Sequence, residues 1–455
     1  MAAIILAAIW GVVMMFSGLF IKSKAAAKYI AVAGILVLLL VNALDYYNTW
    51  RINFDTRGLL AFTTFGTVFN GVAFGITLIY FLLNGKEFED VGRDTYDYYA
   101  LIFFSLCGVT LVSSFNSLLM LFLGIELISI PMYILAGSDK RNLKSNEASL
   151  KYFLMGAFST GIMLMGIAFL YGATGSFYAG AANMPGMEPM VAIGMVFLLI
   201  AIAFKVSAAP FHFWTPDVYD GTPTVFTAYM ATVVKVGSFI GFLKLFDAAF
   251  GKSHGEWQLL LAILVAATLF IGNLTAVFQQ SVKRMLSYSS IAQAGFMLLS
   301  IYSLNTFGRE GLIIYAAAYS IASIGSFAVL AKVKDHSLDG FNGLAKANPF
   351  MALMNVVFLL SLTGIPLTAG FFAKYYVLIG AVKSGQNLWL VIFAVLMAAV
   401  SAYYYFRVIQ AMYFKDGNPE VKPVTSAYKI SLLVAAVLII VIGLFPSILT
   451  KALYA

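Results

Sequence analysis

Charge is scarce in this chain. Lys, Arg, Asp and Glu together make up 11% of 455 residues, against roughly a quarter in a soluble domain. Cysteine occurs once, at Cys107, and the three histidines, His212, His254 and His336, lie far apart without ligand spacing, so no iron-sulfur, haem or zinc site is indicated. No G-x-G-x-x-G nucleotide fingerprint occurs. The string "FGKSHG" at 250–255 has G-x-S-x-G spacing and resembles the end of a phosphate loop, but Phe246 stands where that loop needs its first glycine. Also missing is the ten-residue alternation of an outer-membrane barrel.

What remains is apolar. Hydrophobic residues reach 62% and the mean hydropathy is +0.92, which marks an integral membrane protein. Because unpaired backbone is excluded from lipid and no barrel pattern exists, the expected fold is an all-α bundle. Fourteen apolar windows predict spans near 3–21, 29–44, 58–83, 98–114, 117–137, 149–171, 190–213, 223–246, 257–279, 285–304, 310–331, 348–382, 387–413 and 430–450. Almost nothing joins the fourth and fifth windows, which forces an antiparallel hairpin there.

Lysine and arginine set an orientation. With the N-terminus outside, cytoplasmic loops hold seventeen of the 28 basic residues and outer segments seven, so both termini are expected on the periplasmic side. The net charge of +8 is then mostly a topology signal rather than a nucleic-acid footprint.

Four basic residues are left over, Lys151, Lys205, Lys235 and Lys374, and these fall inside apolar windows. Lys205 lies fifteen residues from Met190 and nine from Trp214, about 22 Å and about 13 Å along a helix. Lys235 and Glu126 are comparably central, whereas Lys151 is close enough to its window's edge to snorkel. A charge at such depth costs at least about 2.5 kcal/mol, so it is a functional candidate before it is a packing device. Lysine suits proton chemistry because burial disfavours its charged form while a nearby carboxylate restores it. At about 4 Å and an effective dielectric of about 20 that attraction is about 4 kcal/mol, more than the roughly 2.3 kcal/mol needed to move a charge through about 100 mV. A lysine and a glutamate that approach and part can therefore act as a valve. The alternative is a static buried ion pair that locks helices together.

Prolines interrupt two of these windows. Pro210 follows Lys205, and "SLTGIPLTAGFFAKYYVL" sets Pro366 and Gly370 ahead of Lys374 inside a window too long for one straight crossing. Two broken helices with deep lysines, in reversed order, predict inverted repeats at helices 4–8 and 9–13, with helices 7 and 12 broken. The corresponding units are 1–97, 98–250, 251–415 and 416–455.

"LFLGIELISIPMYIL" at 121–135, "EASLKY" at 147–152, "FKVSAAPFHFWTPDVYDGTP" at 204–223, "VKRMLSYSSIAQAGF" at 282–296, "GIPLTAGFFAKYYVL" at 364–378 and "YYYFRV" at 403–408 resemble, in order, the antiporter-like N subunits of bacterial proton-pumping NADH:quinone oxidoreductase, respiratory complex I. That resemblance implies a multi-pass protein of the bacterial inner membrane with fourteen helices. It implies that Glu126 pairs with Lys205, that Lys235 is the central relay, and that Lys374 is the outward release station, with Lys151 of less certain role. It implies further that NADH, FMN, iron-sulfur clusters and quinone belong to partner subunits, that this chain binds none of them, and that subunits resembling K and M flank it. The segment before the first helix is short for the family.

His212 could shuttle protons near the break or simply cap broken backbone beside Trp214. Tyr288, Ser289 and Ser290 could hold water in the tenth helix, but hydroxyls in membrane helices more often bond neighbouring backbone, and Tyr403, Tyr404 and Tyr405 are expected to be packing and interface residues rather than a relay. The expected activity is proton translocation driven by NADH-to-quinone electron transfer in partner subunits, with a cation/proton antiporter or a membrane-bound hydrogenase subunit as the alternative.

Overall fold

A computed structural model describes residues 1–21, 23–49, 54–92, 95–385 and 387–454. Lys22, Arg51 and Arg93, counted above for orientation, lie outside the described residues. Regular structure among the described residues is helical, with isolated bridges only. In order come α1 (Ala2–Phe20), α2 (Lys24–Tyr46), α3 (Thr64–Asn84), the short α4 (Glu87–Val91), α5 (Thr95–Ser114), α6 (Leu118–Ala136) and α7 (Leu143–Thr174). Next are α8 (Pro189–Lys205), α9 (Trp214–Gly221), α10 (Thr224–Tyr229), a π-turn at Met230–Val234, α11 (Lys235–Phe250), α12 (His254–Val277) and α13 (Val282–Ser303). The chain ends with α14 (Thr306–Lys332), α15 (Leu344–Ala347), α16 (Pro349–Thr363), α17 (Ala369–Lys383), α18 (Leu388–Phe414), α19 (Ser426–Leu444) and α20 (Ser447–Lys451).

Local sequence explains where these helices begin. Ser117, Asn142, Ser281, Asn305 and Asn348 each accept a first-turn N–H at the start of α6, α7, α13, α14 and α16. The expected hairpin is α5 with α6. They approach closely because Gly108 and Gly124 face each other: a Cβ on Gly108 would sit 2.7 Å from the Gly124 carbonyl oxygen.

By length and apolarity alone, ten described helices can cross a membrane, or eleven counting a bent pair, rather than the fourteen expected. The shortfall has physical causes. α8 is 17 residues long and α16 and α17 are 15 each because their spans are broken, while serines, glutamine and basic residues dilute α13. The 54 residues of Thr224–Val277 read as one helical stretch of about 81 Å, far beyond a bilayer core of about 30 Å. Yet the Phe246 and Trp257 rings, eleven residues apart, have centroids 4.9 Å apart, so the chain folds back at the single turn Gly251–Ser253.

At the centre runs α14, whose apolar window is wholly buried within the protein. Helices α3, α10, α13, α16, α17 and α19 surround it. Exposed apolar side chains such as Phe16, Phe158, Leu396 and Ile430 cover the outside, as a lipid-facing surface requires.

Candidate functional site

Lys205 is the last residue of α8 and is 8% exposed. Its ammonium donates to Ser129 Oγ at 2.9 Å and Tyr133 Oη at 3.2 Å, both on α6. Glu126 occupies the same face of that helix, three residues before Ser129 and seven before Tyr133. Its carboxylate accepts from Thr160 Oγ1 of α7 at 2.7 Å. No ion pair joins Glu126 to Lys205: the structure holds the two apart, each on neutral hydroxyls, where the resemblance implied a bridge.

The helix ends at Lys205 because the chain turns away, with Ser207 at φ +64° and Pro210 next along. Polar groups freed by the break find side chains. Trp214 Nε1 donates to the Phe204 carbonyl at 3.1 Å, and Ala209 N–H donates to Thr268 Oγ1 at 2.9 Å. His212 is buried in this segment against Phe213, with ring centroids 4.8 Å apart, and its Nδ1 has no hydrogen-bond partner. It touches none of the relay lysines through a hydrogen bond.

Lys235 opens α11 directly after the π-turn and is 1% exposed. It donates to Ser290 Oγ at 2.9 Å and to the Ser290 carbonyl at 3.1 Å. The π-turn, unforeseen from sequence, lies in the run Thr232-Val233-Val234, where Tyr319 Oη donates to the Ala231 carbonyl at 2.8 Å.

Lys374, on α17, reaches back across the second break. Its ammonium donates to the carbonyls of Thr363 at 2.6 Å and Leu362 at 3.1 Å, closing the C-terminus of α16 with a positive charge. Gly364 makes room for it: φ is +90°, and a Cβ there would lie 2.9 Å from Lys374 Cδ.

Aromatic rings connect the first two lysines. Lys205 lies 5.8 Å from the Tyr133 ring centroid and Lys235 lies 5.6 Å from that of Tyr219. Between them Tyr133 meets Tyr152 edge-on at 4.7 Å, Tyr152 stacks on Trp214 at 4.7 Å, and Trp214 meets Tyr219 at 5.9 Å. Four residues on three helices thus form one file from Lys205 to Lys235. Sequence reading singled out none of them as a link.

Polar residues connect Lys235 toward Lys374. Gln293 of α13 donates to the Leu362 carbonyl at 2.9 Å and to Tyr405 Oη at 3.1 Å, and accepts from Tyr315 Oη. Tyr405 also hydrogen-bonds Ser289. Tyr403 is 59% exposed and Tyr404 bonds Asn273, but Tyr405 is part of the polar network, which corrects its reading as packing alone. Ser290 does bond backbone, at the Ser287 carbonyl, while also receiving Lys235.

Lys151 stands apart from these. Its side chain is 42% exposed and bridges Glu147 at 2.6 Å and Asp217 at 3.2 Å, while Arg284 reaches the other Asp217 oxygen at 3.0 Å. This rim cluster lines a cavity of about 250 Å³. Beside it a polar cavity of about 590 Å³ is lined by Lys283, Asp335 and His336. Lys283, read as a loop residue, is buried and donates to the carbonyls of Asp220 and Thr222 at 2.7 Å each. In the loop after α14, burial and then the Lys283 charge push His336 down to about 4.

Residues 115–401 match the family described as NADH:quinone oxidoreductase/Mrp antiporter, TM. The chain is 40% identical over 457 residues to the NADH-quinone oxidoreductase subunit N of Cytophaga hutchinsonii, covering 99% of each. It belongs to the subunit N family. A solved respiratory complex I from Thermus thermophilus with bound aureothin contains a chain with a TM-score of 0.85 and 32% identity, covering 98% of this chain and 97% of that one. The fold is shared more widely: a chain of the Mrp complex from Dietzia gives a TM-score of 0.88 at 18% identity, covering 99% of this chain and 95% of that one, a likeness of fold alone.

Proposed function

We propose that this chain is a proton-translocating membrane-arm subunit of an NADH:quinone oxidoreductase, with no redox centre of its own. Glu126, Lys205, Lys235 and Lys374 carry the proton. The observation that carries the reading is that three lysines deep in a membrane fold are buried on neutral oxygens alone, each within reach of a polar or aromatic link to the next. Such ammonium groups lack a permanent counter-ion, so their charge depends on what approaches them.

The valve works by separation and approach. Where Glu126 turns from Thr160 toward Lys205, the ammonium is stabilised; where they part, as here, the proton is held only by hydroxyls and is ready to move toward Lys235. Transfer ends at Lys374 and release follows on the outer side. Electron transfer from NADH to quinone, with FMN and iron-sulfur clusters in partner subunits, supplies the drive. Subunits resembling K and M are the neighbours, and the site of action is the bacterial inner membrane with both termini outside. Fourteen crossings in two inverted repeats, 98–250 and 251–415, are the corresponding architecture, supported by α8 ending at Lys205 before its break and α17 carrying Lys374 after its own. Lys151 and His212 are proposed as flanking groups rather than links, since one is exposed on carboxylates and the other bonds no lysine.

Full-length likeness at 40% identity favours this over an antiporter or hydrogenase subunit. Purification with partners that bind flavin and iron-sulfur clusters is expected; a flavin-free assembly exchanging sodium for protons would overturn the assignment. In the assembled complex Lys205→Ala and Lys235→Ala should lower the protons moved per electron pair. Wild-type stoichiometry in both would reduce the lysines to a scaffold.

A further inference from the structure

Gln293 stands between Lys235 and Lys374 with both its amide nitrogen and its oxygen engaged. The side chain is 2% exposed, and both hydroxyls it meets, Tyr315 and Tyr405, belong to residues no more than 2% exposed. Nε2 donates to the Leu362 carbonyl and to Tyr405 Oη, and Oε1 accepts from Tyr315 Oη. A carbonyl oxygen only accepts, so the nitrogen must face Leu362, which fixes the orientation of the amide. Four helices, α13, α14, α16 and α18, converge on this one group.

The chemistry on its two sides differs from its own. Toward Lys235 stand hydroxyls: Tyr405 bonds Ser289, whose neighbour Ser290 receives the Lys235 ammonium. A hydroxyl or a water donates and accepts through one oxygen, so it can take a proton as it passes one on. An amide donates only through nitrogen and accepts only through oxygen. With two acceptors on Nε2 and a donor on Oε1, Gln293 has no site at which a proton can be taken and handed forward.

We propose that Gln293 is a proton gate rather than a wire, closed while its amide bridges Tyr315, Tyr405 and Leu362, and open when the amide leaves and water joins Tyr405 to Lys374. The inference rests on the lysine relay described above. In the open state, after Lys374 has released its own proton outward and stands as the neutral amine, an N–H bond breaks at Lys235 and one forms at Lys374, and the positive charge travels with the proton; nothing else is consumed. The acceptor itself works the latch. Leu362 O is shared, taking Gln293 Nε2 at 2.9 Å and Lys374 Nζ at 3.1 Å, so the charge on Lys374 acts on the bond that holds the gate shut. The same carbonyl lies at the end of broken α16, so movement of that helix end also shifts the latch.

The test uses the complete complex in proteoliposomes. Gln293→Ala vacates a space bordered by Tyr315 Oη, Tyr405 Oη and the Leu362 carbonyl, enough polar partners to hold water. Proton permeability under an imposed pH gradient, without NADH, is expected to rise severalfold, and protons pumped per electron pair to fall while NADH oxidation continues. Gln293→Met, which fills the space with an apolar chain, should show no such leak. If the alanine variant does not assemble, Gln293→Ser gives the same reading, because it introduces a hydroxyl in place of the amide and still admits water. Wild-type permeability and pumping ratio in the assembled alanine or serine variant overturn the gate. Lys235→Ala and Lys374→Ala separate the two levels: if they lower pumping while the Gln293 variants do not leak, the relay stands and the gate falls; if they too pump at the wild-type ratio, the relay itself fails.

Discussion

Glu126 of α6 and Lys205 at the end of α8 meet the same face of α6 without forming an ion pair: Ser129 and Tyr133 of α6 hold the ammonium, and Thr160 of α7 holds the carboxylate. The hydroxyls hold the parted arrangement seen here, and the proposed valve exchanges them for a partner of opposite charge. Each can be biased separately.

Tyr133→Phe removes one of the two hydroxyls from the Lys205 ammonium. A hydrogen bond to a charged group contributes about 1.5 to 3 kcal/mol, so the parted arrangement loses roughly tenfold or more against the paired one. Proton pumping should slow while the complex still assembles. Gly156→Ala should act the same way from α7, because a Cβ there would stand 2.1 Å from Tyr133 Oη and displace it. Pumping rates of both variants beside wild type check this, and unaltered rates in both contradict it.

Lys374→Met is expected to stop pumping through this subunit and to weaken the second break. The Leu362 and Thr363 carbonyls both lose their charged donor; Leu362 keeps Gln293 Nε2, but Thr363 is left without that partner, at about 1 to 3 kcal/mol for a buried group so stranded. Thermal unfolding of the purified complex should begin several degrees lower, and Lys374→Arg should recover more of the stability than of the pumping.

Trp214→Leu interrupts the ring file between Lys205 and Lys235 at its stacked centre and also removes the donor to the Phe204 carbonyl. Trp214→Phe keeps a ring but loses that donor. Aromatic contacts of this kind contribute about 0.5 to 1.5 kcal/mol each beyond burial. If the file positions the two lysines, protons per electron pair should fall more for leucine than for phenylalanine; equal ratios would leave the hydrogen bond alone responsible.

His336 carries a pH dependence of defined sign. Its folded value lies near 4 against an ordinary 6.5, so between those limits the folded protein binds fewer protons than the unfolded chain. Stability then rises with pH through that window, and acidification from pH 6.5 toward 4 removes it. His336→Gln should flatten this part of a melting-temperature profile. An unchanged acid slope would show that other groups account for it.

Much of this was legible in the sequence, because membranes punish two things severely. Charge in an apolar run marked Lys205, Lys235 and Lys374, and helix breakers marked both interruptions, although α8 stops five residues before Pro210 because Ser207 already turns the chain. Lys151 was legible as the edge member of the set, close enough to snorkel, and α7, 32 residues long, carries it out to the rim on Glu147 and Asp217. Lys283 was less legible: it counts with the loop residues in the sequence yet is buried, since its two carbonyl acceptors come from the α9 end, 63 and 61 residues away. Gln293, Tyr315 and Tyr405 were not legible at all. Each is an unremarkable polar residue in its own helix, and only the convergence of four helices gives them a common address.

One consequence of the second break reaches beyond proton chemistry. In the proposed relay, the cation that closes the end of α16 is the one discharged in each cycle. Neutral Lys374 still has hydrogens to offer those carbonyls, but it no longer opposes the negative pole of the helix. If the relay works as proposed, each turnover loosens and retightens a backbone joint, a mechanical pulse that a neighbouring subunit can feel.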